Sequence, residues 1–270
     1  MNTTIVHRSP LKFFLLIFVL SIPFWILGAL AEEISRMLPI NLPISALMFI
    51  CPMVAAFILM YQENKIRGVK ELLERVFDYK RIKNKGWYLP ALLFMPLTMV
   101  ISYWLMCWFG LPLPDPDIPL AVIPIFFLSF FIGAVCEELG WTGYGIDPLQ
   151  ERHGALAAGV ILGAVWAIWH VIPWYQGHPD LAWVASQFAA TVVLRVIMVW
   201  LYNNTGKSLF SVILFHTMIN VSEYAFPNYG SHFTPFLTFM VVAAVAAMVI
   251  FLYGARTLAQ YRYASSSSER

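Results

Sequence analysis

The chain has 270 residues, 60% of them hydrophobic and only 12% charged, against about 25% charged in an ordinary soluble domain. A water-soluble fold of this size has no single core able to hide so much apolar surface, and the formal net charge of +2 gives no reason to expect a nucleic-acid partner. Cys51, Cys107 and Cys136 all fall in apolar stretches, so a disulfide framework and a CxxC metal or redox motif are both excluded.

The apolar residues are grouped into runs long enough to cross a bilayer, which takes about 20 residues at about 1.5 Å of rise each. Hydropathy predicts spans over 13–31, 42–61, 87–108, 119–146, 155–175, 181–202, 208–224 and 236–255. The first run follows Arg8 and Lys12 as a signal peptide would. It is longer than a signal core and meets Glu32 and Glu33 without a convincing cleavage site, so it is read as a membrane helix. The fourth passes Glu137 and Glu138 and is expected to stop at Asp147 and Pro148, where a charge and a proline supply a reason.

With eight spans, all but two of the 17 Lys and Arg residues fall on one side; the exceptions are Arg36 and Arg195, the latter inside a span. Basic loops face the cytoplasm, so both termini are expected there. Residues 70–77 of the basic connection at 62–86 read as a short amphipathic surface helix on anionic lipid, and the serine-rich tail at 263–270 reads as disordered. The expectation is an all-α, polytopic helix bundle forming one membrane domain over 1–270, with no soluble domain and no internal repeat.

Polar side chains in hydrocarbon are costly and are functional hypotheses by default. Glu137 and Glu138 lie in the fourth predicted span, His170 in the fifth, Arg195 in the sixth, and His216 with Asn220 in the seventh. His216 and Asn220 are four apart and share a helix face. The two adjacent glutamates point about 100° apart, so one is expected to face a reaction centre while the other anchors the helix. A carboxylate that accepts a proton from water, imidazoles that orient it and an amide that donates to an oxyanion together suit hydrolysis. Two histidines and a glutamate are also a catalytic zinc set. Helix-to-helix hydrogen bonding is the rival reading of His216 and Asn220.

No HExxH or GxSxG motif occurs, and Gly143-Tyr144-Gly145-Ile146-Asp147 misses the GxGD spacing by one residue. Serine and aspartyl designs are therefore disfavoured.

Three blocks resemble the CAAX-protease and bacteriocin-processing (Abi) family of glutamate-dependent intramembrane endopeptidases, over roughly residues 120–225. They are Glu137-Glu138-Leu139-Gly140-Trp141-Thr142, at the family's EExxxR block; Trp166-Ala167-Ile168-Trp169-His170, at its aromatic-xxx-His block, usually Phe; and His216-Thr217-Met218-Ile219-Asn220, at its HxxxN or HxxxD block. The resemblance implies that Glu137 is the general base, that His170 and His216 position water or a metal, that Asn220 stabilises the oxyanion and that Glu138 orients the site. If a metal is bound, zinc or another divalent ion on Glu137, His170 and His216 is expected. Trp166 and Thr142 are supporting residues.

Thr142 stands where the family has arginine, and Arg195, at a matching depth, is expected to serve Glu138 instead. Implied partners are membrane lipid and a peptide or lipidated-protein substrate, in what looks like a bacterial plasma membrane. The competing readings are a non-catalytic adaptor or bacteriocin-immunity protein of the same fold and, lacking a repeat, less favourably a transporter. One geometric demand stands out: counted from His153, His170 lies about 25 Å along its helix, whereas Glu137 is only about 15 Å from Asp147.

Overall fold

A computed structural model describes residues 8–30, 44–114 and 120–259. The predicted boundaries at 31, 42 and 119 and the tail at 263–270 lie outside the described residues. Every element among the described residues is helical: α1 (Pro10–Leu30), α2 (Cys51–Glu74, entered through a 3-10 turn at Ile44–Ile50), α3 (Tyr88–Phe109), α4 (Ile123–Gly140), α5 (Asp147–His153), α6 (Ala155–Gly177), α7 (Leu181–Asn204), α8 (Leu209–Ala225) and α9 (Thr234–Tyr253). Among the described residues, seven helical stretches are long and apolar enough to cross a membrane, and α8 is a shorter apolar helix. The eight predicted spans each correspond to one of these.

The bilayer serves as solvent for the outer faces. On α1, Leu11, Leu15 and Ile26 are exposed while Phe13 and Ile17 are fully buried, so an apolar residue on either face is favourable. Inside the bundle, α6 packs on α7, α7 on α9, and α8 lies against both α3 and α4. Close approach of α6 and α7 depends on Gly163, where a Cβ would come within 3.0 Å of the Arg195 Cβ and of the Val192 backbone. Small residues at a helix interface allow such contact, and here it brings the Arg195 backbone against α6.

One expectation is corrected. Residues 70–77 are helical: beyond a break at Lys65, with φ 56° and ψ −152°, an amphipathic helical stretch runs to Glu74, and a 3-10 turn follows at Arg75–Phe77. The fourth span, however, does not stop at Asp147: α4 passes into a π-helical segment, Trp141–Ile146, and continues as α5 to His153. Pro148 lies at the start of α5, directly after the π-helical segment.

The chain then reverses at Gly154, with φ 77°, a conformation glycine adopts without steric cost. The first amides of α6 are satisfied from the chain end beyond α9: Ala155 N donates to Arg256 O and Leu156 N to Ala255 O.

The basic connections meet at one end of the bundle. Arg8 and Arg75 both donate to the carbonyl of Gly143, and Arg75 also reaches the Tyr202 hydroxyl and the Lys207 carbonyl. Lys207 pairs with Asp147 at 2.8 Å. Asp78 caps α8 from 130 residues away, accepting from Ser208 Oγ and from the amides of Leu209 and Phe210. A carboxylate at a helix N-terminus satisfies orphan amides and opposes the helix dipole, and this one sets the position of the helix that carries His216.

Candidate active site

Glu137 and Glu138 occupy the last turn of α4, immediately before the π-helical segment. Such segments often mark functional sites, and this one places Thr142 beside the acid four residues before it. The two glutamates have different surroundings.

Glu138 is fully buried and saturated with partners. Arg195 Nη1 donates to Oε2 at 2.8 Å and Nη2 to Oε1 at 3.0 Å, a two-pronged contact that matches guanidinium to carboxylate. Thr142 Oγ1 donates to Oε2, and His216 Nδ1 lies 2.8 Å from Oε1. A carboxylate held by four bonds, with arginine as its counter-ion, is a fixed anion. It orients the groups around it.

Glu137, 7% exposed, has one bond: Trp166 Nε1 donates to its Oε2 at 2.8 Å. Its Oε1 accepts no hydrogen bond from a described residue, which leaves it open to a water molecule. The Trp166 ring carries the Arg195 guanidinium over its face, 4.1 Å from the ring centre, a cation–π contact. One tryptophan thus touches the free acid and the counter-ion of the bound one.

His170 is held within an aromatic group. Its ring stacks on Trp174 at 5.2 Å and meets Trp166 and Trp169 edge-on. Its Nδ1 lies 2.9 Å from the Trp166 carbonyl. A carbonyl only accepts, so Nδ1 carries the proton and Nε2 is the acceptor in the neutral ring. The same logic applies to His216, whose Nδ1 donates to Glu138. Both imidazoles are pinned at one nitrogen and leave the other for a ligand. Asn220, partly buried one turn along α8, makes no side-chain hydrogen bond to a described residue.

All the predicted site residues are therefore brought to one region by α4, α6, α7 and α8. His170 and Glu137 are linked through Trp166, and the ring of Trp166 lies 5.2 Å from that of His216. The apparent mismatch in depth disappears because α5 extends the fourth span to His153. Glu137 and His170 then lie nearly the same number of residues before and after the Gly154 reversal, about 25 Å of rise for each.

Among the described residues no group of three or more His, Cys, Asp or Glu side chains is placed to hold a metal ion; the atoms of Glu137, His170 and His216 left open to a ligand are Oε1 and the two Nε2. Sequence reasoning missed the indole bond of Trp166, because a motif that accepts any aromatic ring carries no signal for an N–H donor.

Residues 119–222, which contain every residue just described, match the family model described as type II CAAX prenyl endopeptidase Rce1-like. The chain is also 26% identical over 231 residues to CAAX prenyl protease 2 of Methanococcus maripaludis, an alignment covering 80% of this chain and 84% of that protein. Motif, match and helical architecture agree on a multi-pass membrane protein that is similar to the CAAX prenyl endopeptidases.

Proposed function

We propose that the chain hydrolyses a peptide bond with Glu137 as general base and Glu138 as the fixed anion that positions His216. The free Oε1 of Glu137 takes a proton from water. The same water donates its other hydrogen to an imidazole Nε2, from His170 or His216, so that a lone pair on its oxygen points at the substrate carbonyl. Attack forms a C–O bond and a tetrahedral oxyanion, to which the free Asn220 amide donates. The proton held by Glu137 then passes to the leaving nitrogen as the C–N bond breaks, and the carboxylate is regenerated.

The observation that carries this reading is the division of labour between neighbouring acids: Glu138 has four bonds and Glu137 one, with an oxygen free. No step in this scheme requires a metal.

The substrate class we propose is a prenylated, membrane-associated C-terminal peptide. The similarity to a CAAX prenyl protease supports it, as does the placing of the site among apolar helices. A cleavage assay on purified protein tests both parts. Wild type should cleave a prenylated peptide faster than its unprenylated counterpart, and Glu137→Gln should lower kcat by about 100-fold or more while the protein stays folded. Undiminished cleavage by folded Glu137→Gln would remove Glu137 from the mechanism; equal rates on both peptides would remove the prenyl preference.

A further inference from the structure

The polar groups at the basic end of the bundle converge on Arg75, and the π-helical segment supplies the reason. In its i→i+5 pattern the donor for the Gly143 carbonyl would be the nitrogen of Pro148, which carries no hydrogen. Arg75 Nη1 fills that place at 3.2 Å, and Arg8 Nη1 shares it at 3.1 Å.

Arg8 otherwise lies over the Tyr144 ring of the same segment, whereas Arg75 reaches two further elements. Its Nη2 donates to the Tyr202 hydroxyl of α7 at 2.7 Å and to the Lys207 carbonyl, in the turn before α8, at 3.3 Å. Its Nε faces Asp78 Oδ2 at 4.0 Å, and that carboxylate caps α8. Lys207 sits at φ 58°, a left-handed conformation that persists only where the surroundings impose it. Its amide donates to the Tyr202 carbonyl at 2.9 Å. The Arg75 side chain, only 18% exposed, thus joins three elements that are remote in sequence.

Each anchor point stands a short, fixed distance from a proposed active-site group. Gly143 is five residues past Glu138. Tyr202 is seven past Arg195, two turns along one face of α7. Leu209, at the start of α8, is seven before His216, about 10 Å of rise. Arg75 therefore forms a lower rung between these helices, matching the upper rung in which Arg195 grips Glu138 and Glu138 bonds His216. A guanidinium offers the planar fork of donors that such a rung requires; a lysine ammonium is a point charge on a flexible stem.

We infer that Arg75 is a positioning residue for the proposed reaction: it touches no reacting atom, and it holds the helices that carry Glu138, Arg195 and His216 in catalytic register. The inference rests on the assignment of those residues to the active site.

The test uses full-length protein in nanodiscs and two readouts, one of them independent of turnover. Arg75→Lys keeps the charge and loses the fork, so kcat should fall about tenfold or more, with KM and thermal unfolding temperature little changed. Arg8→Ala leaves Arg75 on the Gly143 carbonyl and should turn over like wild type. Arg75→Ala should be slower still, and millimolar ethylguanidinium, but not ethylammonium, should restore part of its rate. In protein carrying isotope-labelled histidine, the His216 Nδ1–H resonance is assigned by its loss in His216→Gln. That proton should exchange with water about tenfold or more faster in Arg75→Lys, because its bond to Glu138 is no longer held in line. An unchanged kcat or an unchanged exchange rate in folded Arg75→Lys overturns the inference. Equal rescue by ethylammonium overturns it too, by reducing Arg75 to a charge. If Arg75→Lys fails to fold, Tyr202→Phe, which removes one anchor, decides: wild-type kcat and exchange overturn the inference equally. If wild type cleaves no peptide, faster exchange in Arg75→Lys leaves Arg75 as the organiser of these residues and removes the catalytic reading.

Discussion

Arg195 grips Glu138 with both terminal guanidinium nitrogens, at 2.8 and 3.0 Å, joining α7 to α4 across 57 residues of sequence. Both side chains are essentially inaccessible, with exposures of 1% and 0%. Removing one member of such a pair strands the other charge, at a cost of about 3–5 kcal/mol. Arg195→Ala should therefore lose folded protein, read as a fall in yield and in thermal unfolding temperature. Replacing both members, Arg195→Leu with Glu138→Leu, should recover most of the stability but no cleavage. Cleavage by the double variant would show that the pair stabilises the bundle without positioning the site.

Trp166 offers a cleaner separation of structure from chemistry. Trp166→Phe keeps an aromatic face beneath Arg195 but deletes the indole N–H that bonds Glu137. A hydrogen bond to a charged group contributes about 1.5–3 kcal/mol, so kcat should fall by about tenfold or more with little change in thermal stability. Trp166→Leu, which also loses the cation–π contact, should be less stable as well. Equal turnover by Trp166→Phe and wild type would show that the indole bond is incidental.

Metal removal should leave the rate unchanged. No three-ligand group is placed for a metal among the described residues, and the proposed scheme routes no step through one. Dialysis against a strong chelator, followed by elemental analysis, measures this directly. A rate lost on chelation and restored by zinc would require a rearranged site.

Asp180, at the N-cap of α7, gives a dependence on pH away from the chemistry. Its Oδ1 accepts from the amides of Trp183 and Ala182, and its Oδ2 lies 2.7 Å from His232 Nδ1. The Trp183 amide bond, aided by the other two, holds its carboxyl below the ordinary carboxylate range. The folded state thus binds this proton less readily than the unfolded chain. Its stabilisation is present above about pH 4 and is lost as pH falls through the lower folded value. Asp180→Asn should flatten the acid limb of thermal stability below about pH 4; an unchanged limb would assign acid sensitivity to other groups.

The membrane helices were legible because hydrocarbon imposes one rule on every residue that faces it. Where that rule lapses, so did the reading: Asp147 to His153 continues a span through charged residues. The chemistry-bearing side chains Glu137, Glu138, His170, Arg195, His216 and Asn220 stood out because polarity in an apolar helix needs a cause. Their convergence was harder to read, since it depends on a π-helical segment that hydropathy does not register and on a reversal at Gly154 several residues later than charge and proline suggested. The bond from Trp166 to Glu137 depends on ring orientation, which spacing alone does not determine.

The π-helical segment also fixes chain length locally. Each residue beyond α-helical pitch advances everything downstream by about 100° around the axis, so Trp141–Ile146 acts as an inserted phase offset between two otherwise ordinary helices. Asp147 meets both Lys207 and Tyr202 only because that offset is present. Deleting one residue from the segment would rewind it to α-helix and swing Asp147 away from both. Relatives that carry the ordinary α-helical phase here would need a different set of contacts to close the same end of the bundle.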